Sequence, residues 1–146
     1  MIASWIVKRM IRSTFEKFNE DDFDVDAFLA GYSDDAVYDL GSELGVGETR
    51  KGKKALADWF KQYKKEFPKR KFVVKNICFS AWPLCLTNVC MVEWSCVAAN
   101  KEGKEFRWDG ISVSHVKNFK IVHGTDYISC AGLPPISSLI KPTAKA

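Results

Sequence analysis

The chain has 146 residues, of which 47% are hydrophobic and 27% charged, and a formal net charge of +4. That length supports one domain burying roughly two-thirds of its unfolded surface, and the composition excludes disordered and fibrous classes. The apolar start from Ile2 to Val7 is broken by Lys8 and Arg9, so neither a secretory leader nor a membrane span is drawn, and a cytoplasmic chain with no membrane partner is expected.

Apolar residues at helical spacing from Trp5 to Phe18 (Val7, Ile11, Phe15, Phe18) define a first amphipathic helix, with Thr14 on the same stripe. Asp24 caps a short helix that runs through Phe28 and Leu29 to Gly31. Ser33 to Asp35 reads as a turn, Ala36 to Leu40 as a short strand, and Gly41 to Gly52 as a charged, glycine-rich loop. Lys53 to Phe67 is the clearest helix: Ala55, Leu56, Trp59, Phe60, Tyr63 and Phe67 form one face, and Pro68 ends it. Beyond it, Lys71 to Ala81, Thr87 to Ala99, Lys104 to Val116 and Lys120 to Ile128 read as strands joined by hairpins. The expected domain covers residues 1–130 and is followed by an irregular tail over 131–146. Helices first and strands later give an α+β fold with three helices on one face of an antiparallel-rich sheet.

Three other signals fall short of a motif. The segment GETRKGKK, Gly47 to Lys54, nearly fits a phosphate-binding loop, but Lys54 stands where a magnesium-binding hydroxyl is needed. The histidines, His115 and His123, lack a metal-ligand spacing, and the cysteines (Cys78, Cys85, Cys90, Cys96, Cys130) contain no CxxC pair, so neither a metal nor a cofactor is expected. The basic stretch from Arg50 to Lys75 reads as a solvated face, because no aromatic residues interleave with its lysines to stack bases; nucleic acid is not an expected partner.

YSDDAVYDLGSE (Tyr32 to Glu43), RKGKKALADWF (Arg50 to Phe60) and FKIVHGTDYIS (Phe119 to Ser129) together resemble the NTF2-like superfamily, above all its SnoaL-like and ketosteroid-isomerase-like branches. The resemblance implies a strongly curved sheet wrapped around the helices to form a cone with a central apolar pocket. It also implies cofactor-free acid-base chemistry on a small hydrophobic molecule, of isomerase, cyclase or hydrolase type.

By the same resemblance, Asp39 matches the carboxylate that moves a proton in the isomerases, and Asp126 an acid on the last strand of the cyclases and epoxide hydrolases. Thr14 stands near the position of the isomerases' helix tyrosine and Ser112 at that of their protonated aspartate. Glu93 and Ser95 fall near the remaining epoxide-hydrolase positions. Trp59, Phe60 and Trp108 are expected to line the pocket.

Strand alternation puts Trp108, Gly110, Ser112 and Ser114 on one face, and Gly124 with Asp126 inward on the last strand, leaving His123 and Tyr127 outward. A homodimer is expected from Val92, Trp94, Cys96, Ile111 and Val113, assigned to the outward face. A non-catalytic ligand-binding or protein-interaction module of the same fold is the competing reading, since the isomerases' oxyanion donors are absent.

Overall fold

A computed structural model describes residues 2–40 and 48–129; part of the expected 41–52 loop, Glu43, Cys130 and the 131–146 tail lie outside the described residues. Three helices, α1 (Ile2–Phe18), α2 (Val25–Leu29) and α3 (Lys53–Glu66), accompany six strands. These are β1 (Tyr32–Leu40), β2 (Glu48–Lys51), β3 (Lys69–Phe79), β4 (Thr87–Ala99), β5 (Glu105–Lys117) and β6 (Lys120–Ser129). They form one curved, unclosed sheet in the order β2-β1-β6-β5-β4-β3.

The meander from β3 to β6 is antiparallel, as alternating apolar segments joined by short turns require. At its far edge β1 joins β6 in parallel, a pairing that sequential hairpins alone do not foretell. β1 is longer than expected: Ser33 to Asp35 belong to the strand, which absorbs the irregularity as a register shift between Tyr32 and Val37. β2 replaces the end of the expected loop. Its polar sequence, ETRK, has little strand signal, and its pairing of Thr49 with Asp39 and of Arg50 with Tyr38 overrides local preference.

Asp24 caps α2 as its side chain dictates, accepting from the backbone N–H groups of Asp26 and Ala27. The stripe of α3 buries Leu56, Phe60 and Tyr63, and Phe67 at its C-terminal end is buried with them. The end of α1 is tied down by Arg70, whose guanidinium donates to the carbonyls of Phe18 (2.8 Å) and Glu20 (2.7 Å). Asn19 continues the edge of β3, donating to the Phe72 carbonyl and accepting from its N–H. Between these ties and α3 lies the aromatic core of Phe18, Phe23, Phe60 and Tyr63.

The register corrects the face assigned to β4. Val92 pairs with Ser112, Trp94 with Gly110 and Cys96 with Trp108, so Val92, Trp94 and Cys96 point inward and are buried. The outer face instead carries Met91, Ile111 and Tyr127, all exposed, with Val113 half-buried between them.

Candidate functional site

The sheet's concave face, α1 and α3 enclose a cavity of about 580 Å³. Its walls are set by sequence periodicity: Ile11 and Phe15 from α1, Trp59 and Phe60 from α3, and inward positions of β4 and β5. Two glycines shape its floor. A Cβ at Gly110 would stand 2.5 Å from the Trp94 indole, and one at Gly124 would stand 2.6 Å from the Tyr38 ring. Only the missing side chains let both aromatics lie over their neighbouring strands.

In this setting Asp126 is the one ionisable carboxylate bordering the cavity, and no Lys, Arg or His borders it among the described residues. Ser112 Oγ donates to Asp126 Oδ1 at 2.5 Å, while Trp94 Nε1 donates to Ser112 Oγ at 2.9 Å. The Tyr38 hydroxyl is a further hydrogen-bond partner of Asp126. Burial drives the Asp126 pKa up from 3.8 to about 6; the Ser112 and Tyr38 hydrogen bonds, which favour the carboxylate, limit the rise. Burial, reinforced by the Asp126 charge, raises the pKa values of Tyr32 and Tyr38, so both remain neutral phenols. The arrangement is an acid poised near neutrality at one polar spot of an aromatic chamber. It is able to hold or release a proton at physiological pH.

The expected site residues divide accordingly. Thr14, Trp59, Phe60, Ser112 and Asp126 border the cavity. Thr14 donates its hydroxyl proton back to the Met10 carbonyl at 3.0 Å, so it offers a ligand an acceptor rather than a donor.

Asp39 does not join them. On β1 the inward positions are Ala36 and Tyr38, both buried, which turns Asp39 to the outer face. There it accepts from Thr49 Oγ1 at 2.7 Å and meets His123 Nε2 at 2.6 Å. These partners hold its pKa below the usual carboxylate value, the reverse of what a buried base requires. The expected pairing of Asp39 with Asp126 in one cavity is therefore not formed.

Glu93 also faces outward, bonded by Asn76 Nδ2 at 2.5 Å, because the register fixes it opposite Ile111. Trp108 points inward but lies one inward position beyond Gly110, stacked on Phe106 and edge-on to Phe67 in the core, and does not border the cavity. Tyr38 and Trp94, which complete the hydrogen-bonded group, carry a sequence signal in the inward parity of their strands: Ala36 with Tyr38, and Val92 with Trp94. Among the described residues, no group of three or more His, Cys, Asp or Glu side chains has the arrangement of a metal site.

A cone-shaped sheet with a buried acid in an apolar chamber defines a protein of the NTF2-like class. The chain belongs to the SnoaL-like domain family, which matches residues 11–124. No curated protein matches it. An NTF2-like protein of unknown function from Burkholderia pseudomallei K96243 superposes with a TM-score of 0.69 at 16% identity, over 92% of this chain and 97% of that one. A protein from Jannaschia sp. CCS1, provisionally named a SnoaL-like polyketide cyclase, gives 0.68 at 12% identity over 94% and 92%. TerC, co-crystallised with polyporic acid, gives 0.65 at 13% identity over 93% and 98%. At these identities the likeness concerns the fold.

Proposed function

We propose that the cavity binds a small, largely apolar molecule and that Asp126 handles a proton on it, in cofactor-free chemistry of isomerase, cyclase or hydrolase type. One observation carries this reading: the lone acid of an aromatic cavity has its pKa brought to about 6 by burial. With no cationic side chain at the wall among the described residues, a bound anion would meet the Asp126 charge there, which favours neutral ligands.

Nile red, a neutral apolar dye, tests occupancy. It should bind the wild-type chain and lose affinity in Val92→Trp, which fills the cavity. Compounds that displace the dye become substrates to assay, and Asp126→Asn should bind them while turning none over.

A second reading, a ligand-binding module without chemistry, is favoured by the spent donors. Ser112 and Trp94 already donate within the group, and Thr14 donates to its own helix, which leaves few hydroxyl protons for a developing oxyanion. Wild-type binding without turnover of any displacing compound selects this reading.

The assembly and setting are part of the same proposal. The outer-face group of Met91, Ile111, Val113 and Tyr127 supports a homodimer, to be checked by sedimentation. The reading without a nucleic-acid partner is supported on α3 by two engaged lysines: Lys61 meets Asp26 at 3.2 Å and Lys64 donates to the Phe23 carbonyl at 2.6 Å. A cytoplasmic setting suits the buried Cys90 and Cys96, whose thiol pKa values burial raises to about 11 and about 12. Among the described residues no helix is long and apolar enough to cross a membrane.

A further inference from the structure

The exposed large hydrophobic residues fall into two groups. One occupies the outer face of the sheet. The other comprises Trp5, Ile6 and Met10 on α1, Trp82, Leu84 and Leu86 in the loop between β3 and β4, and Phe119 in the turn between β5 and β6. Scattered exposed apolar residues are ordinary, but a contiguous group at one opening is not. Met10, Leu84 and Phe119 all border the cavity, so these three segments form its rim. Asn118 N–H donates to the Leu86 carbonyl at 2.7 Å, joining the turn to the loop.

Phe119 also stands where a bulky side chain is unusual. It and Asn118 form a two-residue hairpin turn with φ of 60° and 50°, the left-handed region. Glycine and asparagine enter that region readily, and a bulky side chain rarely does. The turn thus holds a phenyl ring in water, 59% exposed, at a conformational cost.

The charges in these segments are of one sign nearly throughout. Lys8 and Arg9 lie on the same part of α1 as Trp5 and Met10, Lys117 and Lys120 flank Phe119, the latter with its ammonium on the Ala30 carbonyl, and the β3–β4 loop has no charged residue. Arg9 stacks over the Trp5 ring at 5.3 Å, keeping a cation beside an exposed indole.

We propose that this rim docks on an anionic phospholipid surface, setting Trp82, Leu84 and Phe119 among the acyl chains and the flanking cations among the headgroups, so that the cavity opens toward the bilayer. Large apolar side chains interleaved with Lys and Arg match a lipid interface, whose partners are non-directional and negatively charged. A protein partner would also cover the apolar part, but it would not call for cations beside the apolar side chains of both α1 and the β5–β6 turn. The expectation of no membrane partner rested on the want of a spanning segment, and docking needs none. The inference holds whether or not Asp126 moves a proton.

Co-sedimentation of the full-length chain with phosphatidylcholine vesicles, with and without phosphatidylserine, tests it. Binding should require phosphatidylserine. Leu84→Glu with Phe119→Glu should weaken it about a hundredfold, and Arg9→Glu with Lys117→Glu about tenfold or more. Ile111→Ser, on the other face, should leave it unchanged. These positions are exposed, so near-ultraviolet circular dichroism should show intact folding. In the wild-type chain, brominated phospholipid should quench tryptophan fluorescence, and Trp82→Phe should remove part of that quenching.

Three results would overturn the proposal. One is absent or charge-independent vesicle binding. Another is a wild-type dimer that Leu84→Glu and Phe119→Glu convert to monomer without affecting vesicle binding, which would assign the rim to a second copy. The last is a Trp82 already shielded from acrylamide in the free monomer, which would assign the rim to the chain's own residues 130–146.

Discussion

Tyr38 lies over Gly124 on the neighbouring strand, so close that a Cβ there would stand 2.6 Å from two of its ring atoms. This contact fixes the ring whose hydroxyl meets Asp126, and so couples a glycine with no chemistry of its own to the acid of the cavity.

Gly124→Ala should therefore displace Tyr38 and destabilise the protein by about 1 to 3 kcal/mol, the usual cost of overpacking. Gly110→Ala should act alike through Trp94, where the approach is 2.5 Å. Thermal melts of both variants check this. A melting temperature equal to that of wild type would mean that the rings move aside freely and do not hold the floor of the cavity.

Arg70 should be among the costliest side chains to remove. It is buried, and its guanidinium serves the carbonyls of Phe18, Glu20 and Phe67 at the junction of α1 with the α3–β3 turn. Arg70→Met keeps the aliphatic volume but leaves those acceptors unpaired, at a cost of roughly 2 to 4 kcal/mol. Denaturant unfolding measures it.

Much of this architecture was legible in the sequence because it is periodic. The α3 stripe of Leu56, Phe60 and Tyr63 recurs at helical spacing, and the inward parity of Ser112 and Asp126 follows from alternation along β5 and β6. What was not legible depends on pairings between distant segments. Arg50 and Lys51 become strand only because β1 offers an edge, and β4 takes its inward face from a register that its own near-continuous apolar run leaves open. Asp39 departs from its expected place for a related reason. A motif match identifies an acid at a strand's end, but the neighbouring Tyr38 decides which face that acid takes.

Asp39→Asn should leave dye binding at the cavity within about twofold of wild type and change stability by no more than about 1 kcal/mol, since its contact with His123 is partly exposed. The Asp39 pKa is lowered in the folded state. Its small contribution is present above the unfolded carboxylate value and lost as pH falls through the lower folded one. A large loss of cavity binding in this variant would contradict the outward placement of Asp39.

Asp126 has the opposite linkage. Its pKa is raised in the folded protein, from 3.8 to about 6, so its favourable contribution is complete below pH 3.8 and is lost as pH rises through about 6. At neutral pH the ionised group costs on the order of 2 to 3 kcal/mol relative to a neutral one. Asp126→Asn should therefore gain stability over wild type as pH rises from 4 to 7. Taking the difference between the two proteins cancels the other titrating groups. A constant difference across that interval would mean that Asp126 is not desolvated.

The link between Ser112 and Asp126 separates burial from hydrogen bonding as the origin of that acidity. Ser112 donates to the Asp126 carboxylate and so favours its charged form, opposing desolvation. Ser112→Ala removes the donor without adding charge and deprives Trp94 Nε1 of its acceptor. The Asp126 pKa should then move further up, readable by titrating the side-chain carboxyl carbon resonance in labelled protein. If the cavity is catalytic, the acidic limb of the pH profile should shift alkaline by the same amount, because one group sets both. A fall in the Asp126 pKa would show that Ser112 serves the protonated form. It would then accept the acid's proton as it accepts the Trp94 N–H, and only the bond between Ser112 and Asp126 would be reversed.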